Sequence, residues 1–184
     1  MTDNTAANPA AQIDIIQTPE PLGSQFAALG IDAVTYSHPP VFTVAEGEGW
    51  KHLIPGGQTK NLFLKDKKDQ MWLVTAEAYT QVNLKALPDI IGAGRLSFGS
   101  ADRLMNTLGV TPGSVTPLAL VNDSGRQVRF VLDEKLMQCS TINCHPLRND
   151  MTTAMTPDAL LQFLRHLGYG PMICALDKQD QAAP

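Results

Sequence analysis

The sequence predicts an α/β fold of the α+β type, in which helices pack on the faces of a mixed β-sheet. Segments with helical and strand-like patterns alternate along the chain, as such a fold requires. Two pairs of strand-like segments are joined by short polar turns typical of hairpins, which argues against a doubly wound parallel sheet. With 184 residues, of which 43% are hydrophobic and 17% charged, the chain can build one domain with a sizeable core.

Composition predicts a single domain between two tails. Residues 1–17 are rich in Ala, Asn, Thr and Pro and are expected to form a flexible tail, and residues 178–184 are expected to form a second one. The domain is therefore predicted to span residues 18–177. The N-terminal stretch carries no basic residue and no long apolar run, so we expect a cytoplasmic protein without a membrane partner.

Charge and cysteine content narrow the function classes. The net charge of -4 argues against a DNA-binding protein that coats nucleic acid through bulk positive charge. The three cysteines, Cys139, Cys144 and Cys174, are odd in number and include no C-x-x-C pair, which argues against a disulfide framework or a zinc ribbon. We therefore expect reduced thiols, no metal and no cofactor.

Three elements are predicted in the first part of the chain. A helix over residues 21–29 ends at Gly30, and a strand follows over residues 33–37. Thr43 is expected to cap a helix that extends to about residue 53. The segment from Thr43 to Pro55 is also a candidate lid over a binding site.

The rest of the chain is predicted to contain two hairpins and three helices. The hairpins pair residues 60–65 with 71–75 and residues 115–121 with 127–132; the helices run over 83–91, from Ser100 to Gly109 and from Thr156 to Gly168; short strands lie near 95–98, 141–144 and 171–176. Ser100 and Thr156 are typical N-cap residues, and the two glycines are typical helix stops.

A lysine and an amide mark the start of the most apolar predicted strand. Lys60 shares a face of this strand with Leu62, and Asn61 shares the opposite face with Phe63, because side chains alternate along a strand. Both faces are apolar downstream, which predicts an interior strand. We hypothesise that Lys60 and Asn61 form the active centre. The alternative is a lysine that extends to solvent along an apolar strand, beside an amide bonded to local backbone.

Six segments carry a resemblance to a known family: residues 38–44, 55–66, 94–99, 108–117, 121–123 and 143–147. In this order they resemble the YbaK/ProX family of aminoacyl-tRNA deacylases, which are freestanding relatives of the editing domain of bacterial prolyl-tRNA synthetase. The chain is most similar to the alanyl-tRNA(Pro) deacylase branch, also called ProX or PrdX. It differs from the family pattern at Gln58, where a histidine is expected, and at Cys144, where an aromatic residue is expected.

The resemblance implies a mixed sheet with flanking helices and an enzyme that hydrolyses the ester between a wrong small amino acid and tRNA(Pro). The family's lysine falls on Lys60 and its amide on Asn61, which the resemblance implies are catalytic. The implied substrate-binding residues are Gly113, Ser114, Val115, Thr116 and Pro117 of a G-x-x-x-P loop, together with His145 and Phe42. The implied partners are the acceptor end of mischarged tRNA(Pro) and prolyl-tRNA synthetase itself.

Ester hydrolysis by positioning suits the residues present. An aminoacyl ester is already activated, so the enzyme must hold the CCA end, place a water and stabilise the oxyanion. Lys60 is expected to anchor the terminal phosphate or ribose, and Asn61 to orient water or bind the carbonyl. The sequence contains no Gly-x-Ser-x-Gly elbow. Cys144 is either a nucleophile or a small buried side chain, and His145 either polarises a group or is structural.

Two other functions stay open at this point. The first is hydrolysis of cysteinyl-tRNA(Pro), the activity of a neighbouring branch, although residues 95–99 and 143–146 favour the alanine branch. The second is a non-catalytic module that binds the CCA end. The presence of both Lys60 and Asn61 argues against a module that only binds.

Overall fold

A mixed sheet and four helices make up the described part of the chain, residues 13–40 and 52–177 of the computed structural model. The strands are β1 (Asp14–Ile16), β2 (Ala33–Ser37), β3 (Gly57–Lys65), β4 (Met71–Glu77), β5 (Ser97–Phe98), β6 (Val128–Asp133), β7 (Ile142–Cys144), β8 (Met151–Met155) and β9 (Met172–Cys174). The helices are α1 (Leu22–Leu29), α2 (Leu87–Ile91), α3 (Ala101–Leu108) and α4 (Pro157–His166). The predicted mixed α/β fold is confirmed.

The strands of the sheet follow the order β1-β2-β8-β7-β3-β4-β6-β9, and β5 pairs with β3. The pairs β1/β2, β2/β8, β7/β8, β3/β4 and β3/β5 are antiparallel. The pairs β3/β7, β4/β6 and β6/β9 are parallel. Strand β3 therefore lies in the interior of the sheet, as its two apolar faces predict.

The central sheet separates two apolar clusters. One face, which we call the major face, carries Phe63 and Leu73 and is covered by α1, α3 and α4. The other, the minor face, carries Leu64 and Trp72 and is covered by α2. Side chains that are neighbours along β3 or β4 thus enter different clusters, in keeping with the two-residue period of a strand.

The predicted helix ends are confirmed where a capping residue marks them. The hydroxyl of Ser100 accepts a hydrogen bond from the Arg103 N–H at 3.2 Å at the start of α3, and Thr156 accepts one from Ala159 at 3.1 Å at the start of α4. Gly109 ends α3 with φ of 65°, a left-handed conformation that glycine adopts without a Cβ clash. These signals are local, which is why sequence alone finds them.

The second predicted hairpin is wrong. Residues 115–121 do not form a strand; Pro117–Asn122 is a 3-10 helix, begun by the Thr116 hydroxyl, which accepts from Leu118 N at 3.3 Å. Strand β6 pairs instead in parallel with β4 and β9. A short buried apolar run has no periodicity that distinguishes a strand from a helical turn, and here the proline favours the turn.

Three smaller differences concern short elements. The helix predicted over residues 83–91 is confined to α2, because Asn83 Oδ1 accepts from the Lys85 N–H at 3.0 Å and makes a turn of the first part. Strand β1 lies within the segment that composition assigns to the N-terminal tail, and it pairs with β2. Strand β8 has no counterpart among the predicted elements. Phe42 and most of the candidate lid lie outside the described residues.

Candidate functional site

Along one edge of β3, no strand of the described chain pairs with Lys60 and Asn61, the residues that the sequence predicts as the active centre. On that side, β7 pairs only with residues 57–58 of β3, and β5 pairs only with residues 64–65. Among the described residues, no strand pairs with residues 59–63 along this edge. We call this stretch the sheet gap. It contains Lys60 and Asn61, and no strand in the described part of the chain pairs with the backbone N–H and C=O groups that β3 presents there.

Two isolated hydrogen bonds border the sheet gap. At one end, the Thr59 hydroxyl donates to Asn143 O at 2.8 Å, and at the other, Gly99 N donates to Phe63 O at 2.9 Å. The open edge is therefore centred on residues 60–62. Strand β3 also begins at Gly57 rather than at Lys60, so the lysine and the amide lie at an opening beside the strand and not at its end.

Lys60 and Asn61 leave the sheet on opposite faces. Lys60 is opposite Ala76 of β4 and lies on the minor face, whereas Asn61 is opposite Thr75 and lies on the major face. Both side chains are half-buried. The gap is the feature that they share, because a ligand at an open strand edge can reach side chains on either face.

A turn after β4 holds the ammonium group of Lys60. Its Nζ donates a hydrogen bond to the carbonyl oxygen of Thr80. Asp133, which is fully buried, fixes that turn: its Oδ2 accepts from the Thr80 hydroxyl at 2.6 Å and from Glu77 N at 3.1 Å. An ammonium has three N–H donors, so within the described part of the chain two remain for a ligand.

Asn61 is anchored by its oxygen atom. Its Oδ1 accepts a hydrogen bond from the Thr75 hydroxyl at 2.7 Å. This bond orients the amide, so that the NH₂ group is the part available to a ligand. Asn61 can therefore donate to a carbonyl oxygen or to a water, but its oxygen is already engaged.

The Gly113–Pro117 loop lies with the major face. Val115 packs against the apolar cluster of that face, and Thr116 is fully buried. Ser114 is 6% exposed, and its N–H donates to Thr111 O at 2.9 Å. The loop is thus on the side of Asn61, away from the face that carries Lys60.

His145 follows the last residue of β7 directly. Residues 142 and 143 pair with residues 57 and 58. Continued by two residues, the same register places His145 opposite Lys60 across the sheet gap. Its Nδ1 lies 2.8 Å from Met151 O and must be the donor, since a carbonyl only accepts. Its ring centroid lies 6.3 Å from that of His38.

His38 is the neighbour of His145, and the sequence predicts it only as a chain corner. Its Nδ1 donates to Pro39 O at 2.8 Å, so in the neutral ring Nε2 accepts from the Thr152 hydroxyl at 2.9 Å. Burial lowers the pKa of His38, and the nearby His145 lowers it further, against the raising effect of the backbone contact with Pro39. The surroundings of His38 therefore favour the neutral ring.

Cys144 does not have the properties of a nucleophile. Its side chain is 1% exposed, and burial raises the pKa of its thiol to about 12. A thiol is nucleophilic as the thiolate, which this position suppresses. Of the two interpretations of this cysteine, the structure supports the small buried side chain.

The described ranges contain neither a metal-binding cluster nor a membrane-spanning helix. Across residues 13–40 and 52–177, no three His, Cys, Asp or Glu side chains converge on a common metal position. Within the same ranges, no helix is long and apolar enough to span a bilayer.

Comparison with known proteins gives consistent matches. Residues 38–163 match the family model described as the aminoacyl-tRNA editing domain. A Bos taurus protein named prolyl-tRNA synthetase associated domain-containing protein 1 is 38% identical over 162 residues, which are 85% of this chain and 94% of that protein. The prolyl-tRNA editing protein ProX of Acetoanaerobium sticklandii is 36% identical over 141 residues, covering 76% of this chain and 86% of that one.

A solved structure shows the same fold at lower identity. It is described as a candidate trans-editing enzyme for prolyl tRNA synthetase, and it is similar with a TM-score of 0.61 and 16% identity. The match covers 86% of this chain and 95% of that chain. The sheet and its helices are therefore those of a solved protein of similar size.

Proposed function

Because this chain belongs to the aminoacyl-tRNA editing domain family, we propose that it is a trans-editing deacylase that hydrolyses mischarged tRNA(Pro), with alanine as the wrong amino acid. The names of two relatives, a prolyl-tRNA synthetase associated domain protein and a prolyl-tRNA editing protein, support the choice of tRNA. They also support prolyl-tRNA synthetase as a physical partner.

The observation that carries this proposal is the lysine at the sheet gap. Lys60 Nζ is bound to a neutral carbonyl, and no carboxylate among the described residues lies within 4.0 Å of it. Its positive charge is therefore not compensated locally. Such a charge attracts a phosphate or a ribose hydroxyl of the CCA end, and charge-assisted hydrogen bonds are stronger than neutral ones.

The reaction then needs a water and a place for the developing oxyanion. Asn61 has its NH₂ group available to a carbonyl or to a water, and the open edge of β3 adds backbone N–H donors. His145 lies at the β7 side of the same opening. With Cys144 kept as a thiol, we infer direct attack by water rather than an acyl-enzyme.

The test is release of labelled amino acid from tRNA(Pro) charged with alanine, proline, cysteine or serine. We expect rapid loss of alanine and retention of proline. Lys60→Ala is expected to lower kcat/KM for alanyl-tRNA(Pro) about 10- to 100-fold, the value of one or two hydrogen bonds from a charged group. Lys67→Ala is the matched control, because this exposed lysine lies in the turn beyond the far end of β3.

Each result separates the alternatives. Faster loss of cysteine than of alanine would assign the protein to the cysteinyl-tRNA(Pro) branch. Equal activity of the Lys60 and Lys67 variants would place the reaction away from the sheet gap. No release from any of the four substrates would refute deacylation of tRNA(Pro).

A further inference from the structure

An amide oxygen without a partner borders the sheet gap. Asn143 is the middle residue of β7 and is 3% exposed. Its Nδ2 donates to Pro55 O at 3.2 Å, whereas its buried Oδ1 has no hydrogen-bond partner in the described chain. The two atoms cannot be exchanged without cost, because an oxygen in the place of Nδ2 would face the Pro55 carbonyl oxygen.

Asn143 projects from the same face as Lys60. Its register partner in β3 is Gln58, and Lys60 lies two residues further along the same strand. A strand spacing of about 4.8 Å and a two-residue rise of about 6.6 Å put the Cβ atoms of Asn143 and Lys60 about 8 Å apart. The lone acceptor and the lysine therefore belong to one opening.

Only a hydrogen-bond donor can satisfy Asn143 Oδ1. A buried acceptor without a partner costs free energy, and such atoms in native proteins usually have a water or ligand to satisfy them. In the proposed reaction, the aminoacyl group brings a donor of its own. Its α-ammonium is attached to the carbon next to the reacting carbonyl, so a group that binds it also positions the ester.

We propose that Asn143 Oδ1 accepts a hydrogen bond from the α-ammonium of the aminoacyl group and thereby positions the ester for attack. This inference rests on the proposed function. The prolyl nitrogen keeps two N–H groups and can make the same bond, so Asn143 selects an aminoacyl group over an acyl group that lacks the amine. A site built around a hydrogen bond discriminates against a group that cannot make it more strongly than apolar fit alone does.

The ligand must displace a short cover to reach the oxygen. The segment at Ile54 and Pro55 is tied to the sheet by Asn143 Nδ2, by the Thr141 hydroxyl at 3.1 Å and by Gln58 Nε2 at 3.4 Å. These are single side-chain hydrogen bonds to carbonyl oxygens, and two of them are long. Ile54 is packed against Ile13 and Tyr36, so entry of an aminoacyl group requires only the exposed Pro55 to shift.

The experiment compares alanyl-tRNA(Pro) with propionyl-tRNA(Pro), which lacks only the amine. Rates are corrected for spontaneous hydrolysis of each ester. Asn143→Leu is expected to lower kcat/KM for the alanyl ester about 10- to 100-fold and to change the propionyl ester little, because one hydrogen bond to a charged group is lost. Gln25→Leu is the matched control: Gln25 Oε1 is also buried without a partner, but it lies on α1, which covers the major face.

The outcomes distinguish the inference from the function on which it rests. No hydrolysis of alanyl-tRNA(Pro) by the wild type refutes the proposed function. Hydrolysis by the wild type, with Asn143→Leu affecting both esters equally or neither, overturns the role of Asn143 and leaves the function standing. If a water, and not the ammonium, is the donor to Asn143 Oδ1, then Asn143→Leu should affect both esters equally or neither.

A measurement on the wild type covers the case in which Asn143→Leu does not fold. The side-chain amide resonances of Asn143 are followed by NMR during titration with adenosine that carries alanine or propionate on a 3′-amide link. A shift with the alanine compound and none with the propionate compound supports the inference. Equal shifts with both compounds, or none with either, overturn it.

Discussion

At the scale of a residue, His38 shows how a buried side chain makes stability depend on pH. Its ring donates to Pro39 O and accepts from the Thr152 hydroxyl, and its pKa is also influenced by His145 and Asp150. Protonation would turn the accepting nitrogen into a donor opposite a hydroxyl and would place charge in a buried site. Burial accordingly lowers the pKa of His38 below the usual histidine value of 6.5.

The sign of the resulting pH dependence follows from proton uptake. The unfolded chain takes up a proton on His38 near pH 6.5, whereas the folded chain does so only at lower pH. The contribution of His38 to stability is therefore complete above the unfolded pKa and decreases as the pH falls below 6.5. Asp150 opposes this trend, because its charge favours the protonated ring.

We expect urea unfolding to show a smaller free energy at pH 5.5 than at pH 7.5, with His38 contributing part of the difference. His38→Gln retains a donor and an acceptor but does not titrate, so its stability should change less over the same range. His166→Gln is the control, because this histidine is exposed at the end of α4. Equal pH dependence of the His38 variant and the wild type would show that His38 is not held neutral.

At the scale of an element, the turn after β4 determines where Lys60 points. Asp133 receives the Thr80 hydroxyl and the Glu77 N–H on one oxygen and the Lys135 N–H on the other, at 3.2 Å. The carbonyl that binds Lys60 belongs to the same turn. Asp133 is thus a positioning residue, which acts on the lysine through the backbone of Thr80.

We predict that Asp133→Ala lowers both the stability and the activity of the folded protein. Loss of the acceptor leaves buried donors unpaired, which costs about 1–3 kcal/mol of unfolding free energy. Deacylation is measured well below the unfolding temperature and divided by the folded fraction, so that loss of fold is not counted as loss of activity. Under these conditions kcat/KM should still fall, because Lys60 loses its fixed partner.

Asp123→Ala is the matched control for that measurement. Asp123 is also buried and accepts hydrogen bonds from Val128 N at 2.8 Å and from the Tyr169 hydroxyl at 2.7 Å. Asp123 precedes the first residue of β6, whereas the turn that binds Lys60 is held by Asp133, the last residue of β6. It should destabilise the protein without changing the activity of the folded fraction. Similar activity losses in both variants would contradict a specific role for Asp133.

The elements that sequence predicts well are those with local signals. Strand β2 and helices α3 and α4 are found through alternation, an N-cap and a stop residue within a few positions. Strand β7 is only three residues long, and its partners β3 and β8 are chosen by contacts between distant parts of the chain. Pairing of this kind leaves no pattern in the segment itself, so neither the strand order nor the sheet gap follows from sequence.

The same limit applies to the site. Lys60 and Asn61 stand out because they are polar residues directly before an apolar run, which is visible in the sequence. His38 and Asn143 do not, because their partners Thr152 and Pro55 are 114 and 88 positions away. The segments that carry the family resemblance contain both residues, but only the register of β7 against β3 shows that Asn143 and Lys60 share a face.

At the scale of the whole molecule, the sheet formed by the described residues is continuous except beside Lys60 and Asn61, the proposed site. Strand β3 is flanked by β4 along most of its length, while β7 and β5 each cover one end of its other edge. This arrangement keeps an interior strand rigid and still leaves part of its backbone open. A rigid strand with an open edge can present Lys60 and Asn61 to one ligand without a large rearrangement.

The most direct test of this account is the number of turnovers on alanyl-tRNA(Pro) supplied in large excess over the protein. An editing enzyme releases many molecules of alanine for each protein molecule, and we predict this result for the wild type and its loss in Lys60→Ala. Release that stops at one alanine per protein, or binding without any release, would contradict catalysis and identify the domain as a module that binds the CCA end.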